Sequence, residues 1–453
     1  MSAPELLTVV LAAGKGTRMK SAMPKVLHKV AGRSMLAHVL ALARGSGSTR
    51  TAVVIGPGMD DVRKAARAEV PDVEIFVQEN QLGTGDAVKA ALPAIVGFKG
   101  DVVVLYADTP LTTPDIVASL RAQLAAGDAV TVLGFEPDDP SGYGRLLTDG
   151  SGGLLAIREE KDASADERKV GLCNSGVLGF RVADLAGVLS RITNANAKGE
   201  YYLTDTVEII RADGGRAGVV TCAPEAVLGV NSRDQLAEAE AIWQRRRRVE
   251  VMRDGATLVA PETVWFSYDT VIGRDVMIEP NVFFGPGVRV EDGAEIKANC
   301  HIEGARVGAG ARIGPFARLR PGAELGADVH IGNFVEVKNV AMGAGAKANH
   351  LAYLGDGTVG AKANVGAGTI FCNYDGFFKH QTVVGEGAFV GSNSSLVAPV
   401  KIGDGAYVGS GSVITKDVAA GSLALERSPQ EERLGWASKF RAMMSRRKAG
   451  AGK

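Results

Sequence analysis

Residues 384–414 read VGEGAFVGSNSSLVAPVKIGDGAYVGSGSVI, with an apolar residue at every sixth position: Val384, Val390, Leu396, Ile402, Val408 and Ile414. The same beat runs upstream through Ile272, Ile278, Phe284, Val290, Ile296 and Ile302. After a one-residue slip it resumes at Val307, Ile313, Leu319, Leu325, Ile331 and Val337. The segment that follows stays rich in Val and Gly but keeps looser time. Ordinary strands with chance spacing do not give runs of six hits at one interval. A fixed short period marks a parallel β-helix built from hexapeptides. One branched residue in six points inward, and Gly follows many of them, as in Ile313-Gly314, Val365-Gly366 and Val408-Gly409. At those corners a side chain would clash. The solenoid therefore runs from about Val271 to Val418.

Working outward, a solenoid of about 150–200 residues leaves room for one sizeable globular domain and a connector in a chain of 453. The 51 basic and 51 acidic residues cancel. That balance gives no general case for a nucleic-acid or anionic-membrane partner. Cys173, Cys222, Cys300 and Cys372 are far apart and form no CxxC. They read as reduced, buried thiols of a cytoplasmic protein. The apolar run Leu6–Ala13 has no basic region before it and is too short to span a bilayer, so it is read as a first strand.

That strand flows into Ala12-Ala13-Gly14-Lys15-Gly16-Thr17-Arg18-Met19, and Pro24-Lys25 follows. A Gly-rich loop after a strand aims backbone N–H groups at an anion, and two nearby cations suit a polyphosphate. It is neither a Rossmann fingerprint, since Met19 stands where the third Gly belongs, nor a Walker loop. Strands are expected at 51–55, 73–77 and 101–106, with a helix at 61–68. The run 101–106 is apolar throughout, like a central parallel strand, and ends in Ala107-Asp108. A carboxylate at the carboxyl end of such a strand lies where open α/β sheets bind ligands, and its oxygens suit Mg²⁺. Residues 232–253 read as a helix with Leu236, Ala239, Trp243 and Val249 on one face. Its Arg245–Arg248 run reads as a solvated face near a helix C-terminus.

The GxGTRM loop followed by PK closely resembles the signature of sugar-1-phosphate nucleotidyltransferases. The resemblance implies that Leu11, Ala12, Ala13, Gly14 and Lys25 meet the nucleoside triphosphate, with Arg18 and Lys25 catalytic. It further implies Gln78, Gly83 and Thr84 at the base, and Gly144, Glu159, Asn174 and Asn231 around the sugar nucleotide. Asp108 and Asn231 would hold one Mg²⁺. The family usually has Gly where this chain has Ala107.

The solenoid resembles the left-handed hexapeptide helices of acyltransferases, in which a coil takes about 18 residues. On that ruler Arg320 stacks on Lys338, and Tyr374 on Ser392 and Ser410. Two stacked cations are unfavourable unless an anion lies between them, which suggests a phosphate site. His350 can take a proton near neutral pH, and Glu336 is a candidate to orient it.

Taken whole, the chain resembles the bacterial bifunctional uridylyltransferases/N-acetyltransferases of amino-sugar phosphates. The resemblance implies an α/β plus β-helix fold: a Rossmann-like nucleotidyltransferase domain (1–231), a helical linker (232–252) and a left-handed parallel β-helix with a basic tail (253–453). It implies UTP, acetyl-CoA, glucosamine-1-phosphate and N-acetylglucosamine-1-phosphate as substrates, and a homotrimer whose acetyl sites are shared between chains. Arg320, Lys338, Tyr353 and Asn364 would bind the amino-sugar phosphate, with His350 as base. Ala367, Asn373, Tyr374, Ser392, Ser410 and Arg427 would line the acetyl-CoA groove. The tail cations Lys439, Arg441, Arg446, Arg447 and Lys448 either reach the CoA phosphates or are disordered. Three rivals stand beside this: a nucleotidyltransferase on a regulatory solenoid, which would not need Arg320, Lys338 or the His350–Asn373 cluster; a zinc carbonic anhydrase, although His301, His330, His350 and His380 offer no close pair and no three-ligand set; and a non-catalytic binding subunit, which the intact Gly14, Arg18, Lys25 and Asp108 speak against.

Overall fold

The computed structural model describes residues 4–150 and 152–451. The chain divides into two compact units, Met1–Glu250 with Phe266–Tyr268, and Val251–Trp265 with Asp269–Lys453.

The first unit is a twisted sheet whose main path runs Ala217–Cys222, Val130–Phe135, Cys173–Phe180, Gly100–Tyr106, Glu5–Leu11, Arg50–Ile55 and Glu74–Val77. Cys173–Phe180 is antiparallel to both neighbours, while the other pairs on this path are parallel, so the sheet is mixed. Glu5–Leu11 and Gly100–Tyr106 bury nearly every residue because apolar clusters cover both sides of the sheet. From Glu5–Leu11 the chain moves outward to Arg50–Ile55, then returns to pair Gly100–Tyr106 on the opposite edge. The order therefore reverses at the carboxyl end of Glu5–Leu11, where such sheets open a ligand crevice.

The helix Arg233–Arg253 sends Ala239 and Ile242 into a small core with Val30, Met35 and Val230, against which Leu236 and Trp243 pack. Val249 is exposed and does not share that face. Its cations are paired: Arg245 with Glu225 (2.6 Å), Arg246 with the Leu111 carbonyl (2.9 Å) and Arg247 with Glu250 (2.7 Å).

The second unit is a left-handed parallel β-helix with three faces. One face is a ladder of ten strands from Thr257–Leu258 to Leu423–Ala424. The lattice residues point inward: Ile278, Ile296, Ile302, Ile331, Val390 and Ile402 are all fully buried. Each contributes about 1.5–3 kcal/mol of burial, so the repeat itself makes the core. The coil length, however, is not constant. Partners are 18 residues apart at Met277↔Glu295, 17 at Lys347↔Asn364 and 25 at Asn364↔Phe389. The extra residues form an excursion between Ile370–Cys372 and Thr382–Val384. In the loosely periodic segment, Glu336–Met342 and Tyr353–Val359 run on through a corner and join two faces. The tail is a helix, Trp436–Gly450, exposed along its length. No described helix is long and apolar enough to cross a membrane. Cys173 and Cys300 are buried, whereas Cys222 and Cys372 are only half-buried, so the expectation of four buried thiols holds for two.

Candidate active sites

At the switch point the chain leaves Glu5–Leu11 as an open loop. The N–H groups of Ala13, Gly14, Lys15 and Gly16 have no partner among the described residues. Gly16 has φ of 61°, and a Cβ there would sit 2.4 Å from the Cβ of Lys25. Only Gly lets the loop close down on that lysine.

Lys25 is buried, and its ammonium donates to Asp108 Oδ2 (2.5 Å) and Asn231 Oδ1 (2.9 Å). The Val230 N–H donates to the Asp108 carbonyl (2.9 Å), which brings Asn231 beside Asp108 although they are far apart in sequence. One cation thus finds a carboxylate and an amide oxygen aimed at a common point. That donor set fits a hard divalent ion that keeps water and takes its other ligands from substrate phosphates. Arg18 lies exposed at the rim of the loop.

A cavity of about 350 Å³ opens here, lined by Leu11, Ala12, Ala13 and Gly14, by Lys25 and Asp108, and by Gln78, Gly83 and Thr84. Gln78 is buried and acts as a clamp: its amide donates to the Gly83 carbonyl (2.9 Å) and to Asp86 (2.8 Å). Gly83 has φ of 105°, and a Cβ would meet the Tyr201 carbonyl at 2.7 Å. Gly144, Glu159 and Asn174 form a second group. The Asn174 N–H donates to the Gly144 carbonyl (2.8 Å), and Gly144 lies against the Glu159 carboxylate.

Tyr106 lines the same cavity and was not evident from sequence, where it was the last residue of a strand. Burial, then the nearby Glu159 and Asp108 carboxylates, raises its pKa, so the phenol remains a donor. Burial likewise raises Glu159, which accepts from Thr204 (3.4 Å). Arg233 was also missed. It donates from Nε to the Met19 carbonyl (3.2 Å), and its Nη1 lies 3.2 Å from His28 Nδ1, bracketing the loop that carries Lys25.

Asp205, in the same neighbourhood, is raised to about 6 by burial and then by Glu208 and Glu159. A carboxyl whose folded pKa exceeds its unfolded value supports the fold when protonated. That support is lost as pH rises through about 6. Asp205→Asn should therefore raise the melting temperature near neutral pH and change it much less at about pH 4, as thermal melts at the two pH values would read.

In the solenoid, stacking follows register. Asn333 lies opposite His350, and His350 Nδ1 is 2.6 Å from Asn333 Oδ1. With that oxygen accepting, Nδ1 carries the proton and Nε2 keeps its lone pair. Asn333, not Glu336, is thus the orienting group. Glu336 is engaged by Arg320 (2.8 Å). Lys338 in turn pairs with Asp356 (2.8 Å). Each cation has its own carboxylate, so their stacking does not by itself demand an anion between them.

The ladder of Tyr374, Ser392 and Ser410 is corrected as well. Cys372 pairs with Val397, 25 residues on, so Tyr374 falls out of the column and into the excursion, where its hydroxyl donates to the Gly376 carbonyl (2.6 Å). The residue stacked against Ser392 is Ala367, whose carbonyl accepts from the Asn393 N–H (2.7 Å). Ser392 and Ser410 do stack, 18 residues apart. Arg427 reaches the Ser410 carbonyl (2.9 Å). One corner column therefore holds Asn333, His350, Ala367, Ser392 and Ser410. Arg320 and Lys338 lie at a different corner, Tyr353 on the face between them and His350, and Asn364 on the ten-strand face. His301 stacks on Phe283 and His380 pairs with Asp375 (2.7 Å), while His330 lies on the strand beside His350.

An open Gly-rich loop over Lys25, Asp108 and Asn231 in one unit, and a histidine held by Asn333 on the solenoid of the other, make two separate polar sites in one chain. Residues 8–167 match the MobA-like NTP transferase domain, and 269–304, 304–339 and 381–416 match the bacterial transferase hexapeptide (six repeats). The stretch between the last two matches is the one that carries His350. The chain is 60% identical over 442 residues to the bifunctional protein GlmU of Azorhizobium caulinodans, covering 98% of each. It is 60% identical over 448 residues to that of Xanthobacter autotrophicus, covering 99% of this chain and all of the relative. It is 57% identical over 440 residues to that of Rhodospirillum rubrum, covering 97% and 98%. The chain belongs to the family of bifunctional GlmU proteins.

Proposed function

We propose that this chain makes UDP-N-acetylglucosamine by two reactions at two separate sites. It acetylates glucosamine-1-phosphate from acetyl-CoA, then transfers a uridylyl group from UTP to the product. The observation that carries this is the coexistence, in separate compact units, of the Lys25–Asp108–Asn231 convergence and the His350–Asn333 pair. The division is drawn at 1–231 for uridylyl transfer, 232–252 for the linking helix and 253–453 for acetyl transfer.

In the solenoid, the attacking amine must be neutral. His350 Nε2 accepts its proton as the tetrahedral intermediate forms, a backbone N–H stabilises the oxyanion, and the CoA thiol leaves. Arg320, Lys338, Tyr353 and Asn364 bind the amino-sugar phosphate. Ala367, Asn373, Tyr374, Ser392, Ser410 and Arg427 bind acetyl-CoA. In the first unit, the sugar phosphate attacks the α-phosphorus of UTP in line and pyrophosphate leaves. A phosphate monoester with a second pKa of about 6 needs no base. Asp108 and Asn231 would hold one Mg²⁺, which neutralises phosphate oxygens when bound. Arg18 and Lys25 add cationic charge. Gln78, Gly83 and Thr84 take the base, and Gly144, Glu159 and Asn174 the sugar.

A homotrimer with shared acetyl sites is part of the same reading. Lys338 lies at a different corner from His350, which supports a site completed by a neighbouring copy. Next to the His350 column, Phe316, Phe334 and Leu351 stand 48%, 54% and 60% exposed. All three have positive φ, a conformation such residues rarely adopt. Burial against a second copy would offset that exposure.

Incubating the protein with glucosamine-1-phosphate, acetyl-CoA, UTP and Mg²⁺ should yield UDP-N-acetylglucosamine, free CoA thiol and pyrophosphate. Pyrophosphate release only when N-acetylglucosamine-1-phosphate is supplied, with no thiol release, would instead leave a nucleotidyltransferase on an assembly solenoid.

A further inference from the structure

We propose that Asp356 is a positioning residue that ties the amino-sugar phosphate subsite to the acetyl-CoA subsite through its two carboxylate oxygens. The proposal rests on the acetyl-transfer reading above. Asp356 is 5% exposed, at the corner where Tyr353–Val359 passes from one face to the next. Oδ1 accepts from Lys338 Nζ (2.8 Å) and Asn339 Nδ2 (2.8 Å), and Oδ2 accepts from Asn373 Nδ2 (2.5 Å). Lys338 lies opposite Gly355 and Val340 opposite Gly357, which sets Asn339 beside Asp356.

Each tie has a consequence for a ligand. A lysine ammonium on a four-carbon stem is a loose point charge, and one fixed acceptor orients its remaining N–H donors. On the other side, holding Asn373 Nδ2 turns that amide's oxygen away from Asp356. The Asn373 carbonyl also accepts from the His380 N–H (2.8 Å), closing the base of the excursion that carries Tyr374. Gly355 completes the junction. A Cβ there would lie 2.5 Å from the Tyr353 hydroxyl and 2.7 Å from Asn373 Nδ2, so both side chains crowd over that position. Residues assigned to both subsites thus meet at one carboxylate, and both of its oxygens are taken up by protein donors.

The test is steady-state kinetics of acetyl transfer by the full chain, varying glucosamine-1-phosphate and acetyl-CoA separately. Asp356→Asn should raise both KM values by about tenfold or more, because a donor replaces one acceptor and shifts both ligand sets. Uridylyl transfer by the same preparation should stay within about twofold of wild type, since the other unit is untouched. Asn339→Gly, which tolerates the φ of 52° there and removes the amide that Asp356 accepts, should raise both KM values together to a smaller extent, and it keeps the test open if Asp356→Asn folds poorly. A rise in one KM alone, or a lowered melting temperature with both KM values unchanged, would overturn the proposal and leave a purely structural buried carboxylate. Absence of acetyl transfer by the wild-type protein would instead remove the underlying reading, and the proposal with it.

Discussion

His350→Ala should lower kcat for acetyl transfer by about 10²–10⁴-fold, the range for removing a positioned general base. Uridylyl transfer should be unchanged. The side chain is exposed on its corner, so its removal leaves no buried cavity, and the loss should be chemical and not structural. Thiol release measured with glucosamine-1-phosphate, alongside pyrophosphate release with N-acetylglucosamine-1-phosphate, separates the two. Asn333→Ala should reproduce part of the defect, because the imidazole would lose the acceptor that fixes its tautomer. Retention of full acetyl transfer by His350→Ala would assign the base elsewhere.

Asp108→Asn should have the mirror-image effect. It removes the single negative charge from the Lys25–Asp108–Asn231 cluster, so both the divalent-ion site and the lysine lose their partner. A kcat loss of about 10²–10³-fold in uridylyl transfer is expected, with a higher Mg²⁺ requirement. Acetyl transfer should be untouched. Pyrophosphate release across a Mg²⁺ titration would show both effects. An unchanged titration would mean that Asp108 does not hold the ion.

Much of this was legible in the sequence because period and punctuation encode it. The inward lattice from Ile272 to Ile414 needs no tertiary information, since a six-residue beat has one packing solution. Asp108 was legible as a polar residue ending an apolar strand. Its union with Lys25 was not, because a contact spanning 83 residues is made by sheet order and not by local pattern.

In the solenoid the failures have more than one cause. A constant ruler of 18 served where the lattice was strict and failed where coils shorten to 17 or swell to 25. Coils of 17 also occur at Arg289↔Arg306 and Glu295↔Arg312, so a short coil alone does not mark the stretch that carries His350. Asn333 lies 17 residues from His350 and so falls off that ruler, whereas Asp356 lies 18 from Lys338 and was simply not singled out. Glu336 was misassigned because spacing alone cannot tell which of several nearby cations or rings a carboxylate will meet.

Mixing the two variants tests most directly whether one chain holds two separable sites. UDP-N-acetylglucosamine would be measured from glucosamine-1-phosphate, acetyl-CoA and UTP with His350→Ala alone, Asp108→Asn alone, and both together. Neither variant alone should form it beyond trace, and the mixture should form it after a lag while free N-acetylglucosamine-1-phosphate accumulates. Product from either variant alone at the wild-type rate would contradict the assignment of the two reactions to these sites.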